Sequence, residues 1–84
     1  MPEISRFLGI VIYMYHAEHN PPHFHAEYGD YEIMVNIETG ETKGRFPQHA
    51  LNKVLEWNNL HKKELLKDWE LASQRKALNK IKPL

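Results

Sequence analysis

The residues with the clearest chemical potential in this sequence are histidines. Four of the six lie within ten positions, at His16, His19, His23 and His25. Imidazole titrates near neutral pH and is the commonest side-chain ligand of metal ions, so such a cluster can transfer protons or bind a metal. On a β-strand, His23, His25 and Glu27 would share one face, because successive side chains point to opposite sides.

Three interpretations of this cluster are open. In the first it is structural, since histidines pack in cores and hydrogen-bond to carbonyl groups. In the second it binds a divalent metal such as zinc or nickel, and no other cofactor is expected. The candidate ligands are His19, His23, His25 and Glu27. In the third, His23 and His25 are the catalytic base and acid of a ribonuclease, with His19 or a lysine assisting.

The residues around the cluster predict an antiparallel sheet of three or four strands. Pro21 and Pro22 end the first strand, because proline donates no backbone hydrogen bond. Gly29-Asp30 has the composition of a two-residue hairpin turn. The strand after it alternates strictly between apolar and polar residues. The predicted strands are Phe7–Tyr15, His23–Tyr28, Tyr31–Ile37 and a short edge strand, Thr42–Phe46.

The second half of the chain changes to a helical period. Pro47 suits a first helical turn, and apolar residues follow at spacings of three and four up to Trp57. Asn58-Asn59 interrupts this stripe, which restarts at Leu65, so two helices are expected. Residues 73–84 are rich in lysine and indicate a loose basic tail. The prediction is a single α+β domain over residues 1–84, an antiparallel meander followed by two helices packed on one face.

Composition narrows the function classes. The chain has 84 residues and no cysteine, which excludes disulfides, thiol catalysis and thiolate metal sites. Its net charge of zero divides unevenly, because residues 1–42 carry seven acidic side chains and one basic, whereas residues 43–84 carry ten basic and four acidic. The two halves either attract each other within the fold, or the basic half contacts RNA, DNA or an acidic partner.

The longest apolar run, Phe7 to Tyr15, is nine residues long. A membrane-spanning helix needs about 20 apolar residues, so no membrane segment is predicted. The run also lacks the basic lead-in and the small-residue cleavage site of a secretory signal. We therefore expect a cytoplasmic protein.

The segment His19–Tyr28 resembles the signature of a small bacterial group, domain of unknown function family 4160. Five further segments are similar to that family: Pro2–Phe7, Gly9–Ile12, Ile37–Glu41, Leu55–Trp57 and Leu65–Ala72. The segment Lys43–Phe46 shows no sharp family signal. The resemblance implies a component of a toxin–antitoxin-like two-gene module that docks a small partner protein from a neighbouring gene. The expected docking surface is the edge near residues 42–46 or an aromatic sheet face. No catalytic residue carries over from the family.

Overall fold

The computed structural model describes residues 2–84 and contains a five-stranded sheet in which each strand is antiparallel to the next along the chain. The strands are β1 (Glu3–Phe7), β2 (Ile10–Tyr13), β3 (His23–Tyr28), β4 (Tyr31–Asn36) and β5 (Thr42–Arg45). Two helices follow, α1 (Gln48–Leu60) and α2 (Lys62–Ser73). The predicted α+β meander is therefore confirmed, but the sheet has five strands and not three or four.

The extra strand arises within the first apolar run. Phe7–Tyr15, predicted as one strand, is divided by a turn at Leu8 and Gly9, whose φ angles are 52° and 80°. Phe7 pairs with Ile10 across this turn, so the residues before it form β1. Glycine adopts a positive φ without steric cost, which permits the reversal. Leu8 continues the apolar composition through the turn and so conceals it in the sequence.

The two helices meet at His61. The sequence predicted their boundary slightly earlier, at Asn58-Asn59. Asn58 is buried within α1, and its Nδ2 donates a hydrogen bond of 3.2 Å to the Ile37 carbonyl oxygen. A buried amide with a backbone partner is compatible with a packed helix face. The polar residue therefore joins α1 to the end of the sheet and does not break the helix. No helix among residues 2–84 is long and apolar enough to cross a membrane.

The hydrophobic core lies on one face of the sheet, where both helices cover it. Trp57 of α1 is fully buried there, with its ring 5.4 Å from Phe7 and 5.6 Å from Phe24. Leu65 and Ala72 of α2 belong to the same cluster. Because β3 side chains alternate, the residues on either side of Phe24 point away from this core.

The C-terminal residues correct the expectation of a loose tail over residues 73–84. Residues 76–84 form neither helix nor strand, yet Ile81 is buried and its N–H donates a hydrogen bond of 2.7 Å to the Ile4 carbonyl. The indole Nε1 of Trp57 donates to the Lys82 carbonyl at 2.9 Å. The segment thus lies along the outer edge of β1. The buried Ile81, the partly buried Leu78 and these hydrogen bonds together anchor it.

Candidate metal centre

His23 and His25 of β3 lie on the sheet face opposite the core. In the strand register, His23 is opposite Asn36 of β4, and His25 lies between Tyr13 of β2 and Met34 of β4. Both imidazoles are only 8% exposed, although they are on the face that the helices do not cover. Their cover comes from aromatic side chains, among them Trp69 of α2, and from a loop.

Aromatic rings supply most of this cover. The Tyr13 ring stacks on His25, with centroids 5.2 Å apart and planes inclined by 10°. Tyr15 contacts the same imidazole edge-on at 4.9 Å. Trp69 of α2 packs against His23 with ring centroids 5.0 Å apart. These contacts hold both rings and restrict the directions in which their nitrogens point.

The loop between β2 and β3 brings an acidic residue, Glu18, over the two histidines. The loop is anchored on α2 at two points: the N–H of Ala17 donates to the Ala72 carbonyl at 3.0 Å, and the indole of Trp69 donates to the Asn20 side-chain oxygen at 3.3 Å. Glu18 lies between these anchors. Its position is therefore set by contacts with α2 and not by local strand geometry.

One carboxylate oxygen of Glu18 meets both imidazoles. Glu18 Oε1 lies 3.0 Å from His25 Nε2 and 3.2 Å from His23 Nε2. All three atoms lie within 4.8 Å of one another, and no other set of three or more His, Asp or Glu side chains in residues 2–84 converges in this way. We call Glu18, His23 and His25 the histidine–carboxylate triad.

The tautomer of His23 follows from its second nitrogen. His23 Nδ1 lies 2.8 Å from the Pro21 carbonyl oxygen, which can only accept, so Nδ1 carries the hydrogen. In the neutral ring Nε2 then presents a lone pair. Nε2 is buried without a hydrogen-bond partner in the described chain, because its direction towards Glu18 does not meet hydrogen-bond geometry despite the short distance. A carbonyl that fixes the distal nitrogen in this way is typical of metal-binding histidines.

Two of the three separations within the triad are close to those between ligands of one metal ion. Two ligand atoms each about 2.05 Å from a tetrahedral zinc are roughly 3.3 Å apart. The observed Oε1–Nε2 separations are 3.0 and 3.2 Å. The contact between His25 Nε2 and Glu18 Oε1 also has hydrogen-bond geometry, whereas the contact of His23 Nε2 does not, so the lone pair of His23 Nε2 is the one left free for an ion.

Glu27, predicted as a metal ligand, acts on Tyr13 instead. The Tyr13 hydroxyl donates a hydrogen bond to the carboxylate of Glu32, which is opposite Glu27 in the register. Burial raises the pKa of Tyr13, and the carboxylates of Glu32 and Glu27 raise it further. The phenol therefore remains a protonated donor, and its ring stays fixed against His25.

The structure places the remaining predicted residues outside the triad. His19 is exposed and lines a cavity of about 370 Å³ together with Glu18 and His23. His16 Nε2 lies 2.9 Å from the Lys76 carbonyl, so it binds the C-terminal segment. Sequence reasoning found His23 and His25 but missed Glu18. No periodicity relates a loop residue to β3, so only its acidic type and closeness to the two prolines marked it.

Two cavities open on the triad's face of the sheet. The larger, of about 370 Å³, contains Glu18 and His23, and a second, of about 290 Å³, contains His25. Met34 and Lys43 line both cavities. The triad is therefore reachable from solvent on either side, although its imidazoles are buried.

Among the described residues, no ion pair joins the acidic half of the chain to the basic half, although Lys62 and Lys80 donate to the backbone carbonyls of Glu38 and Glu3. Every ion pair that the structure shows among residues 2–84 joins residues of the same half. In the basic half, Lys63, Lys67 and Lys80 line a common cavity of about 260 Å³ beside Glu64. The basic side chains thus remain on the surface.

Comparison with known proteins gives one match. A family model described as a domain of unknown function (DUF4160) matches residues 9–70, a range that runs from the β1–β2 turn into α2 and contains the whole triad. No curated protein and no solved structure matches the chain.

Proposed function

The chain belongs to the domain of unknown function 4160 family, and from that premise we propose that it binds a divalent metal ion through Glu18, His23 and His25. The observation that carries the proposal is the convergence of two buried imidazole nitrogens on one carboxylate oxygen, at 3.0 and 3.2 Å. Zinc fits two imidazoles and one carboxylate, and nickel is the next candidate. Three protein ligands leave a fourth position for water or a ligand.

The geometry favours a metal over the ribonuclease interpretation of the same histidines. In cleavage through the 2′-hydroxyl, the base and the acid act on oxygens on opposite sides of the phosphorus, so the two groups flank the substrate. Here His23 Nε2 and His25 Nε2 both lie within 3.2 Å of the same carboxylate oxygen, Glu18 Oε1. That arrangement suits a shared cation between the side chains better than a phosphate group.

A cobalt titration of the metal-free chain tests the proposal. Co²⁺ in a site with nitrogen and oxygen ligands gives visible absorption, and zinc should displace it at one ion per chain. Glu18→Gln is expected to weaken binding more than about tenfold, because it removes a charged ligand. His49→Ala, which changes an exposed histidine of α1, should leave the affinity unchanged.

Two further results separate the interpretations. His19→Ala should bind cobalt like the parent, since His19 lies outside the triad. Zinc at about 100 times Kd should raise the melting temperature by on the order of 10 °C. Equal binding by the parent and Glu18→Gln would refute the proposal. RNA cleavage that survives a chelator but is lost in His23→Ala and His25→Ala would support the ribonuclease instead.

We also propose, as a second function, the binding component of a toxin–antitoxin-like two-gene module. The sheet face that the helices leave open supports this proposal. Tyr15 and Met34 are each 37% exposed there, and the register places Lys43 and Arg45 on the same face. Exposed apolar groups beside basic ones suit an acidic partner protein.

Co-purification with the product of the neighbouring gene tests the docking proposal. Met34→Glu should abolish the complex on a sizing column, because it places a charge in the contact surface. Leu60→Glu, at an exposed position at the end of α1, is the matched control and should retain it. Separate elution of the two parent proteins would refute the proposal.

Contact with RNA or DNA through the basic half belongs to the same proposal. Lys63, Lys67 and Lys80 of the basic half lie close together around one surface cavity. Binding through phosphate contacts should weaken as salt is raised, and the triple lysine-to-glutamine variant should show a smaller salt slope. Equal affinity of the parent and the triple variant would exclude this surface.

A further inference from the structure

We propose that the metal site binds the phosphate group of a phosphate ester, held between the metal and the ammonium of Lys43. The inference rests on the proposed metal-binding function and identifies the class of its ligand. It starts from the fourth coordination position that three protein ligands leave open. Glu18 and His23 line the 370 Å³ cavity, so a ligand at that position has room and access to solvent.

Lys43 is the basic residue that the sheet places beside this position. Across the strands, His25 is opposite Met34, and Met34 is opposite Lys43. Two strand spacings separate the Cα atoms of His25 and Lys43 by about 10 Å. The flexible side chain of lysine covers much of that distance, and Lys43 lines both cavities that flank the triad.

Lys43 differs from three other lysines of the chain, whose ammonium groups make structural contacts. Lys53 is 4.0 Å from Glu56, Lys62 donates to the Glu38 carbonyl, and Lys80 donates to the Glu3 carbonyl. Within residues 2–84, the ammonium of Lys43 makes no ion pair or hydrogen bond. It is therefore available to a ligand.

The loaded metal and Lys43 are the two positive groups that an anion could contact at this site. A divalent ion with two neutral imidazoles and the Glu18 carboxylate retains one positive charge, and Lys43 adds a second. Glu41 lines the larger cavity, and Glu32 lines the smaller one with Lys43, so an anion would bind through its direct contacts with the metal and the ammonium and not through an excess of positive charge. A phosphate ester offers several acceptor oxygens, so that one can bind the metal while another accepts from the ammonium.

The test uses the full chain loaded with one equivalent of Co²⁺ and titrated with inorganic phosphate. Phosphate at the open position should change the cobalt absorption, and the metal content after desalting shows whether cobalt stays bound. Lys43→Gln should weaken phosphate binding by at least about tenfold, because a charge-assisted hydrogen bond is lost. Lys53→Gln is the matched control and should bind phosphate like the parent.

The outcomes separate the two proposals. A spectral change that weakens in Lys43→Gln and persists in Lys53→Gln supports the phosphate site. A cobalt spectrum that phosphate does not alter, or alters equally in Lys43→Gln, overturns the phosphate site and leaves the metal site intact. A parent chain that gives no cobalt spectrum overturns both.

Discussion

The two faces of β3 bury their side chains to a similar extent but with different partners. Phe24 is fully buried against Trp57, in a core built from the sheet and both helices. His23 and His25 are 8% exposed and are covered by aromatic rings and by the Glu18 loop. Low exposure alone therefore does not distinguish the core from a site; the partners of the buried atoms do.

On both faces, some buried polar atoms have a hydrogen-bond partner and others have none. On the helix-covered face, Trp57 is buried and its indole N–H has a carbonyl partner at 2.9 Å. On the other face, His23 Nε2 is buried with no hydrogen bond in the described chain. An unsatisfied buried polar atom costs about 1–3 kcal/mol. Asn58 Oδ1 and Asp68 Oδ2 of the helices are unsatisfied as well, so at His23 it is the closeness of Glu18 and His25 that points to a ligand.

The largest expected effect distinguishes the two faces by stability. Phe24→Ala should lower the free energy of unfolding by about 3–5 kcal/mol, because it leaves a cavity in the core. His25→Ala, one residue away, should cost only about 1–2 kcal/mol. Urea unfolding measures both, with Phe24→Leu as the variant that retains the fold. Equal losses of unfolding free energy in Phe24→Ala and His25→Ala would show that the two faces contribute equally to stability.

A smaller loss of stability is expected at the edge strand β5, whose residues belong alternately to the two faces. At Gly44, φ is +114° and an added Cβ would lie 2.5 Å from the Glu32 carbonyl oxygen. Gly44→Ala should therefore cost roughly 1–3 kcal/mol. Gly29 also has a positive φ, +59°, but an added Cβ meets nothing within 4 Å. Gly29→Ala should cost about 1 kcal/mol, and thermal melting that reversed this order would contradict the steric argument.

The two tryptophans provide a matched pair of smaller effects. Trp69→Phe removes the hydrogen bond of 3.3 Å to Asn20, and Trp57→Phe removes the one of 2.9 Å to Lys82. Each loss should cost about 0.5–1.5 kcal/mol. Only Trp69→Phe should also weaken cobalt binding, because Trp69 contacts His23 and the loop that carries Glu18. Equal cobalt affinities would show that this loop does not depend on Trp69.

The smallest expected effect is a pH dependence of the free energy of unfolding, caused by Asp68 of α2. Asp68 is buried; one oxygen accepts from the Asn79 N–H at 2.9 Å and the other has no partner in the described residues. Burial raises the pKa of Asp68 above its ordinary value of 3.8. The folded state therefore binds a proton more tightly than the unfolded state. The resulting stability is fully present below pH 3.8 and decreases as pH rises through the folded-state pKa.

Asp68→Asn isolates this contribution, because the amide oxygen still accepts from Asn79. The difference in unfolding free energy between variant and parent should shift in favour of the variant as pH rises. Urea unfolding from pH 3 to pH 8 measures that difference. A difference that is constant across the range would show that Asp68 titrates alike in both states.

Much of the fold was predictable because it depends on local patterns. Alternation located β3 and β4, Gly29-Asp30 marked their turn, and the change to a helical period located both helices. The turn at Leu8 was missed because an apolar residue occupies it. The packing of the C-terminal segment was missed because a single buried side chain, Ile81, leaves no period to detect.

The sequence alone determined that His23 and His25 share a face and that this face is opposite Phe24. Alternation is a property of consecutive residues in a strand, and it holds whatever surrounds the strand. Only the tertiary structure decided that Glu18 meets them at 3.0 and 3.2 Å and that the larger predicted ligand set does not form. The path of that loop depends on contacts with α2, some fifty residues further along the chain, and no local pattern records such contacts.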